Sequence, residues 1–259
     1  MKKLSINIFL IIGLFSILSC SKDDDNSTPS STATDLTGCK VISITNDNYK
    51  TVYAYNTNGT IKNITEYYTS DTTSPVEIYT YTHNSGTITY VNKSGRERGN
   101  YTINAVGKVT SSTINYYNGQ DPTVATSGVM TSYEYDANGY LNRRILTSAS
   151  ASGSSTTTYS YIWMNGNIAN EISVNQGGST SNTAYTYYTD KSNAFSSLTS
   201  LTEFTGPDSK NLVKSTTNAI TGSAMDSYSY EFDASGKPVK TTVTDNSNTY
   251  TFTSIFMCP

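Results

Sequence analysis

The chain has 259 residues and a formal net charge of −3, and only 14% of its residues are charged. A mildly acidic chain without a cluster of lysines or arginines argues against a nucleic-acid partner. Strand-forming residues dominate, 22 of the residues are tyrosine, and no long segment has the periodicity of a helix. We therefore predict an all-β protein, whose length suits one sandwich or barrel.

Residues 1–19 have the features of a bacterial secretory signal peptide. Lys2 and Lys3 precede an apolar run at 6–18 that is too short and too close to the N-terminus for a good membrane span. The segment LSC, which ends at Cys20, resembles the lipobox of bacterial lipoproteins, whose cysteine carries the lipid and becomes the first mature residue. An ordinary signal peptide with a chance cysteine is the alternative. Cys20 stands where the apolar run ends and polar sequence begins, which favours lipidation.

The residues behind Cys20 predict where the protein is displayed. They are a lysine and an acidic cluster: Lys22, Asp23, Asp24 and Asp25. This pattern looks like the export signal of surface lipoproteins in Bacteroidetes-type bacteria, and a merely solvated acidic tether is the alternative. Residues 20–35 are rich in Ser and Thr and lack apolar periodicity, so we predict a lipidated flexible tether. The expected location is the outer membrane, lipid-anchored and exposed on the cell surface.

Two further cysteines mark the ends of the region that we expect to fold, a single repeat-built β domain at 36–259. Cys39 stands near its start and Cys258 at its end. Because an exported protein meets an oxidising environment, we predict a disulfide between them, with two buried free thiols as the alternative. The disulfide would make the first and last strands neighbours or nearly so, which suits a sheet that curls back on itself.

A hairpin motif recurs along this region. It reads Tyr-x-Tyr, then a turn with Gly, then an aliphatic residue two positions later. The copies are VYAYNTNGTI (52–61), IYTYTHNSGTI (78–88), NYTINAVGKV (100–109), SYEYDANGYL (132–141), TYSYIWMNGNI (158–168), AYTYYTD (184–190) and SYSYEFDASGKPV (227–239). The third copy has Ile103 in place of the second tyrosine, and the sixth loses the turn glycine. The spacing, close to two strands plus two turns, identifies a structural repeat.

The segment DANG shows how each unit folds. A type I turn with Gly139 in the left-handed conformation fixes the register of the two strands. It predicts three cross-strand pairs: Asp136 with Tyr140, Tyr135 with Leu141, and Tyr133 with Arg143. Tyrosines two apart point to one side of a sheet, so one face carries an aromatic pair and an aliphatic residue. Seven hairpins predict about fourteen antiparallel strands in an up-and-down meander, strongly curled or closed into a barrel-like sheet.

Three segments beside the repeats carry a family resemblance: YTYYTDKSNAF (185–195), KNLVKS (210–215) and SYEFDASGKPVK (229–240). Together they resemble a family of uncharacterised Bacteroidetes lipoproteins, a domain of unknown function with a porin-like β fold. The resemblance covers about residues 36–259, although the family usually has Pro where Ala194 stands. It implies a fold and an envelope location and no catalytic residues. The hairpin motif alone also resembles the tyrosine-aspartate repeats of bacterial surface and toxin shells.

The sequence offers few residues for chemistry. No His-x-x-His, Cys-x-x-Cys, Gly-x-Ser-x-Gly or phosphate-binding glycine loop occurs, so we predict no catalytic site, metal or cofactor. We interpret His83 as an exposed turn residue, and Asp136 and Asp233 as turn residues that bond locally. Paired carboxylates could serve a glycosidase, but sequence alone does not place two together. The candidates are Glu66, Glu77, Glu97, Glu134, Glu171, Glu203 and Glu231.

Three functions remain open. The first is a non-enzymatic binding or accessory module for an extracellular glycan, peptide or host molecule. The second is a structural envelope protein, and the third is a carboxylate-dependent hydrolase. Trp163, at the tip of the fifth hairpin, is the best single candidate for binding, while the tyrosines are expected mainly to pack. Exposed aromatics in a concave face favour the first function, a filled interior the second, and two glutamates in a cleft the third. Interleaved Thr, Ser and Asn argue against a membrane-spanning barrel.

Overall fold

The barrel consists of one antiparallel sheet that closes on itself. The computed structural model of this chain describes residues 39–118, 121–197 and 208–258. The strands are β1 Lys40–Thr45, β2 Tyr49–Tyr55, β3 Ile61–Tyr68, β4 Glu77–Asn84, β5 Thr87–Asn92, β6 Glu97–Ile103, β7 Val109–Asn118, β8 Asp121–Tyr135, β9 Leu141–Ser150, β10 Gly153–Met164, β11 Asn167–Asn175, β12 Thr180–Ser192, β13 Asn211–Asn218, β14 Ala224–Phe232, β15 Pro238–Thr244 and β16 Thr249–Met257. These sixteen described strands follow chain order around the barrel, and β1 pairs with β16 to close it. The predicted all-β, up-and-down, barrel-like sheet is confirmed.

Two of the described strands stand outside the repeats. The seven repeats form β2 to β15, while β1 and β16 flank them and pair with each other. We expected about fourteen strands, and the described residues form sixteen because these flanking strands lack the tyrosine motif. Cys39 and Cys258 form a disulfide directly beyond the Lys40–Met257 pair. The two ends of the barrel wall are therefore joined by hydrogen bonds and by a covalent bond.

The strand connections divide between two rims, which we call the repeat rim and the far rim. The repeat rim carries the seven connections of the repeats, together with Cys39 and Cys258. These connections span 56–60, 85–86, 104–108, 136–140, 165–166, 193–210 and 233–237, of which 198–207 lie outside the described residues. The far rim carries the connections between successive repeats, such as 69–76, 93–96 and 151–152. All glycine-containing repeat turns thus lie at one end of the barrel.

The DANG turn has the predicted local chemistry. Gly139 has a φ of 85°, and its N–H donates to the carbonyl of Asp136 (3.0 Å). Oδ1 of Asp136 accepts from the N–H groups of Asn138 (2.9 Å) and Tyr140 (2.8 Å). Asp233 bonds in the same way in its own turn and thereby holds its pKa at about 2. The interpretation of both aspartates as locally bonded turn residues is confirmed.

The register of this hairpin differs by one residue from the prediction. Tyr135 pairs with Leu141 as expected, but a bulge follows between Glu134 and Tyr135. Tyr133 consequently faces Arg144, and the predicted pairing with Arg143 is wrong. Because side chains alternate between the faces, this shift puts Arg144 on the tyrosine face and Arg143 on the opposite one.

The tyrosine face points into the barrel. Along β4, Tyr79 and Tyr81 are half-buried and pack against a buried cluster, whereas Thr80 and Thr82 are exposed. Exposed charged side chains stand on the outer face near the strand ends: Lys62, Arg98, Glu134, Arg143 and Glu231. Between the strand ends, the described outer face mixes hydroxyl-bearing residues with single exposed apolar side chains such as Met130 and Ile255, unlike the continuous apolar band of a lipid-facing barrel.

The repeat-rim end of the interior is packed with apolar side chains. One cluster consists of Val41, Tyr53, Ile61, Phe195 and Leu212, and a second consists of Ile88, Tyr90, Tyr101 and Val109. Ile61, Ile88 and Val109 are the aliphatic residues of three repeat motifs. Their burial, at 1% exposure or less, explains why the motif requires an aliphatic residue after the turn.

Phe195 reaches this end from the connection between β12 and β13. It lies in a short 3-10 helix, Ala194–Ser197, and its ring packs 5.7 Å from that of Phe256. Buried Asn193 anchors the helix, since its N–H donates to the carbonyl of Lys210 (3.0 Å) and its Nδ2 to that of Ser209 (3.2 Å). Phe195 and the buried residues around it therefore fill the barrel interior at this part of the repeat rim, and we call them the plug.

Polar aromatic side chains link most of the described hairpins to the strand before them. Among the described residues, six hairpins have such a donor to a backbone carbonyl: Tyr55 to Val41 (2.7 Å), His83 to Ile61 (2.7 Å), Tyr135 to Val109 (2.7 Å), Trp163 to Leu141 (2.8 Å), Tyr187 to Ile168 (2.8 Å) and Tyr230 to Val213 (3.0 Å). The described hairpin that lacks the donor is the one with Ile103. Each bond is worth about 1 kcal/mol, and together they explain the polar aromatic residues of the repeat.

Candidate functional site

The predicted anchoring and export residues lie outside the described residues, as does one of the candidate glutamates. They are Cys20, Lys22, Asp23, Asp24, Asp25 and Glu203. Lipidation at Cys20 and surface export therefore stay predictions.

Trp163 and His83 occupy equivalent positions in their hairpins. Both precede two-residue turns, whereas the longer turn after Tyr55 places the tyrosine in the same role. Trp163 is half-buried, donates its indole N–H to Leu141 and packs its ring 4.5 Å from that of Tyr140. Its predicted binding role stays a prediction, because packing accounts for these contacts.

His83 is not an exposed turn residue. It lies near the end of β4, is half-buried, and its Nε2 is 2.7 Å from the carbonyl oxygen of Ile61. Because a carbonyl can only accept, Nε2 carries the proton in this contact. The expectation of exposure is wrong because the two-residue turn extends the strand through His83.

Tyrosines line the interior between the plug and the far rim. Six of them on the inner face are half-buried: Tyr133, Tyr135, Tyr159, Tyr161, Tyr185 and Tyr228. A side chain that points into a closed barrel keeps solvent exposure only if there is open space in front of it. The interior is therefore a lumen that solvent reaches. Burial raises the pKa of Tyr161 and Tyr185 above the usual range, so both stay protonated hydrogen-bond donors.

Three glutamates meet on one side of the lumen. Glu66 and Glu77 face each other across β3 and β4, and Glu97 lies two strands further on. Glu77 accepts from Nδ2 of Asn92 (2.8 Å) and from the N–H of Lys93 (2.9 Å). The N–H of Glu97 in turn donates to Oδ1 of Asn92 (3.0 Å). The structure thus brings together carboxylates that the sequence could not place.

The remaining described glutamates are divided between the two faces. Glu134 and Glu231 stand on the outer face in ion pairs with Arg143 (3.2 Å) and Lys240 (2.5 Å). Glu171 is on the inner face, opposite Tyr161. The outer pairs are exposed and contribute little to stability.

The lumen perturbs the protonation of two glutamates. Burial raises the pKa of Glu66, and the negative charges of Glu77 and Glu97 raise it further. Burial also raises the pKa of Glu97, an effect that the hydrogen bond from Tyr90 (2.6 Å) partly opposes. A raised carboxyl pKa means that the folded state holds more protons than the unfolded state. The stability contributed in this way is complete below the unfolded pKa and is lost as pH rises through the folded pKa.

Replacing Glu66 with Gln should therefore remove part of the loss of stability that occurs as pH rises. We expect Glu66→Gln to raise the free energy of unfolding at about pH 8 and to change it little at about pH 3.5, below the unfolded pKa of a glutamate. Urea unfolding at both pH values measures the effect, and exposed Glu134→Gln is the control. Equal pH dependence of the two variants would show that the lumen does not bury Glu66.

Arg144 is surrounded by aromatic rings on the other side of the lumen. It pairs with Tyr133 on β8 and with Tyr159 on β10, and its guanidinium carbon lies 4.3 Å from the centre of the Tyr159 ring. Burial raises the pKa of Glu171, which the charge of Arg144 and the hydroxyl of Tyr161 partly oppose. Sequence reasoning missed Arg144 because the bulge shifts it onto the tyrosine face.

The far rim offers an opening above these residues. A pocket of about 400 Å³ lies there between β7, β8, β9 and β10, lined mainly by small side chains. They include Ser127, Val129, Ser148, Ser150 and Ser155. The described part of the chain has no group of three or more His, Cys, Asp or Glu side chains arranged to hold a metal ion. No described helix has the length and hydropathy to cross a bilayer.

Known proteins resemble this chain in fold. No protein-family model matches the sequence, and no curated protein matches it significantly. A porin-like protein from Bacteroides uniformis ATCC 8492 is 14% identical, with a TM-score of 0.57, and the match covers 85% of this chain and 96% of that one. A porin-like protein from Bacteroides vulgatus ATCC 8482 is also 14% identical, with a TM-score of 0.57, covering 84% of this chain and 98% of that one. The chain therefore shares the β-barrel fold of these porin-like proteins.

Proposed function

We propose that this chain is a lipid-anchored, non-enzymatic protein of the outer-membrane surface, which binds an extracellular ligand in the lumen of its barrel. The observation that carries the proposal is the set of half-buried tyrosines inside a closed wall. Aromatic rings beside hydroxyl groups offer stacking surfaces and hydrogen bonds, the combination that suits a glycan. The porin-like fold of the two Bacteroides proteins is consistent with an envelope location.

The position of the chain ends supports an outward-facing lumen. The barrel begins at Cys39, on the repeat rim, and a tether from Cys20 would reach it there. That rim is also the one closed by Phe195 and its apolar cluster. A lipid on Cys20 would hold the plug towards the membrane and turn the far rim towards the medium. The hydroxyl-rich outer wall suits a barrel that stands in water.

The packed repeat rim favours a structural envelope protein as the second candidate, since a purely structural barrel needs no ligand. A hydrolase is less well supported. Glu66 and Glu77 do face each other, but both oxygens of Glu77 accept hydrogen bonds from Asn92 and Lys93. A carboxylate engaged in this way by the barrel itself is a poor nucleophile or base.

A binding assay on cells and on purified protein tests the proposal. Fluorescent oligosaccharides and peptides are incubated with intact cells that carry the protein, with cells that lack it, and with the purified chain from residue 21. We expect at least one oligosaccharide to bind both the purified chain and the carrying cells, and Tyr161→Ala to weaken that binding. Binding by the purified chain without binding by intact cells would overturn surface display. Absence of binding in both would favour the structural protein.

A further inference from the structure

Arg144 points into the lumen and, among the described residues, forms no ion pair, although the charge of Glu171 acts on it. It is half-buried between Tyr133 and Tyr159, and its Nε is buried without a hydrogen-bond partner. The ion pairs among the described residues are formed by Arg143, Lys191, Lys237 and Lys240. A buried donor that the protein leaves unpaired requires an explanation, and one explanation is a site that a ligand completes.

The aromatic neighbours hold the guanidinium in place. Its carbon lies 4.3 Å from the centre of the Tyr159 ring, a cation–π contact. Tyr133 flanks it on β8, and Tyr161, two residues beyond Tyr159, lies on the same face opposite Glu171. Packing against rings leaves the planar fork of an arginine free to bond an oxyanion through its edge.

A ligand can reach Arg144 from the far rim along one stretch of wall. The pocket at that rim is lined by Ser127, Ser148 and Ser155, which belong to the three strands that position Arg144 and its tyrosines. Ser148 lies four residues from Arg144 on β9, and therefore on the same face, about 13 Å away. Small hydroxyl side chains therefore lie at the rim, and large rings lie further in on the same face of these strands.

The side chains along this stretch of wall indicate the chemical class of the ligand. An arginine fork matches a carboxylate, tyrosine rings stack against sugar rings, and serine hydroxyls bond sugar hydroxyls. A peptide would commonly bind by adding a strand, but the described strands of this wall are already paired on both sides. We propose that Arg144 anchors a binding site for the carboxylate of an acidic saccharide, which enters the lumen from the far rim. This inference rests on the proposed function.

Titration calorimetry on the purified chain tests the site. The probes are trigalacturonate, sialyllactose and a hyaluronan tetrasaccharide, each compared with its carboxyl methyl ester. We expect at least one acid to bind and its ester to bind at least tenfold more weakly. Arg144→Gln should weaken binding of the acid at least tenfold, and Arg144→Lys, which keeps the charge without the fork, should weaken it less. The matched control is Arg143→Gln, the adjacent arginine on the outer face, which should leave binding unchanged.

Several results would overturn the inference. They are equal binding of acid and ester, equal binding by Arg144→Gln and the unchanged protein, or no binding of any of the three acids. Thermal unfolding of each variant establishes whether it is folded. If Arg144→Gln does not fold, the comparison of Arg144→Lys with the unchanged protein still tests the site. Neutral oligosaccharides that bind both proteins equally would refute the arginine site and leave lumen binding intact. Failure of every saccharide and peptide would refute the proposed function itself.

Discussion

Replacing both cysteines of the disulfide, in the variant Cys39→Ser/Cys258→Ser, should lower the free energy of unfolding by roughly 5 kcal/mol. The bond joins residues separated by 219 positions, so it removes a large loop-closure entropy from the unfolded chain. It also holds β1 against β16, and β1 has only a short register with its other neighbour β2, over Ser43–Thr45. A domain of this size has a total stability of about 5–15 kcal/mol, so the barrel should become marginal.

Denaturant unfolding of the purified chain from residue 21 measures this loss. A reducing agent should lower the stability of the unchanged protein to that of the double serine variant, and should leave the variant itself unaffected. A change of less than about 1 kcal/mol would mean that the β1–β16 ladder holds the ends together by itself.

Gly99→Ala should destabilise the barrel by about 3 kcal/mol, near the upper end for overpacking a core. A Cβ built on Gly99 would lie 1.9 Å from Cε1 of Tyr90, which is paired with Gly99 across β5 and β6. The Tyr90 ring has little room to move. It is 5% exposed, stacks against Tyr101 at 6.0 Å and donates its hydroxyl to Glu97 (2.6 Å). A residue without a Cβ is therefore required at Gly99, because the Tyr90 ring lies directly against its backbone.

The matched control is Gly177→Ala, since a Cβ there meets no atom within 4 Å. Its free energy of unfolding should change by less than about 0.5 kcal/mol. Combining Gly99→Ala with Tyr90→Leu should cost less than the sum of the two single changes, because the leucine leaves room for the methyl group. Additive costs would contradict the close approach of ring and backbone.

The sequence was sufficient for the parts of the fold that local chemistry determines. Alternating tyrosines and glycine turns predicted the hairpins, and the positions of Cys39 and Cys258 suggested that the sheet curls back on itself. The register was predicted correctly only as far as the turn reached. A bulge of one residue makes Arg144, and not Arg143, the cross-strand partner of Tyr133. The position of a bulge depends on how the whole wall bends, which a local segment does not reveal.

The lumen residues were harder to predict because their strands are joined by longer connections. Glu66 and Glu77 are paired across a connection of eight residues, 69–76, whose length does not fix a register. In the sequence, Trp163 lies between the Tyr-x-Tyr segment and the turn glycine of its hairpin, where it has no evident structural role. In the barrel it takes the hydrogen-bonding place of a tyrosine, because its turn is shorter.

Because nearly every described hairpin is bonded to the strand before it in the same way, the number of repeats determines the circumference of this barrel. A further repeat would add two strands, and about 10 Å of wall, without altering the seam between β1 and β16 or the disulfide beside it. Its aromatic donor and its aliphatic acceptor would continue the series of contacts already present. Duplication or loss of a segment of about this repeat length could therefore widen or narrow the lumen in fixed steps. Chains built in this way can diversify the size of what they enclose before any lining residue changes.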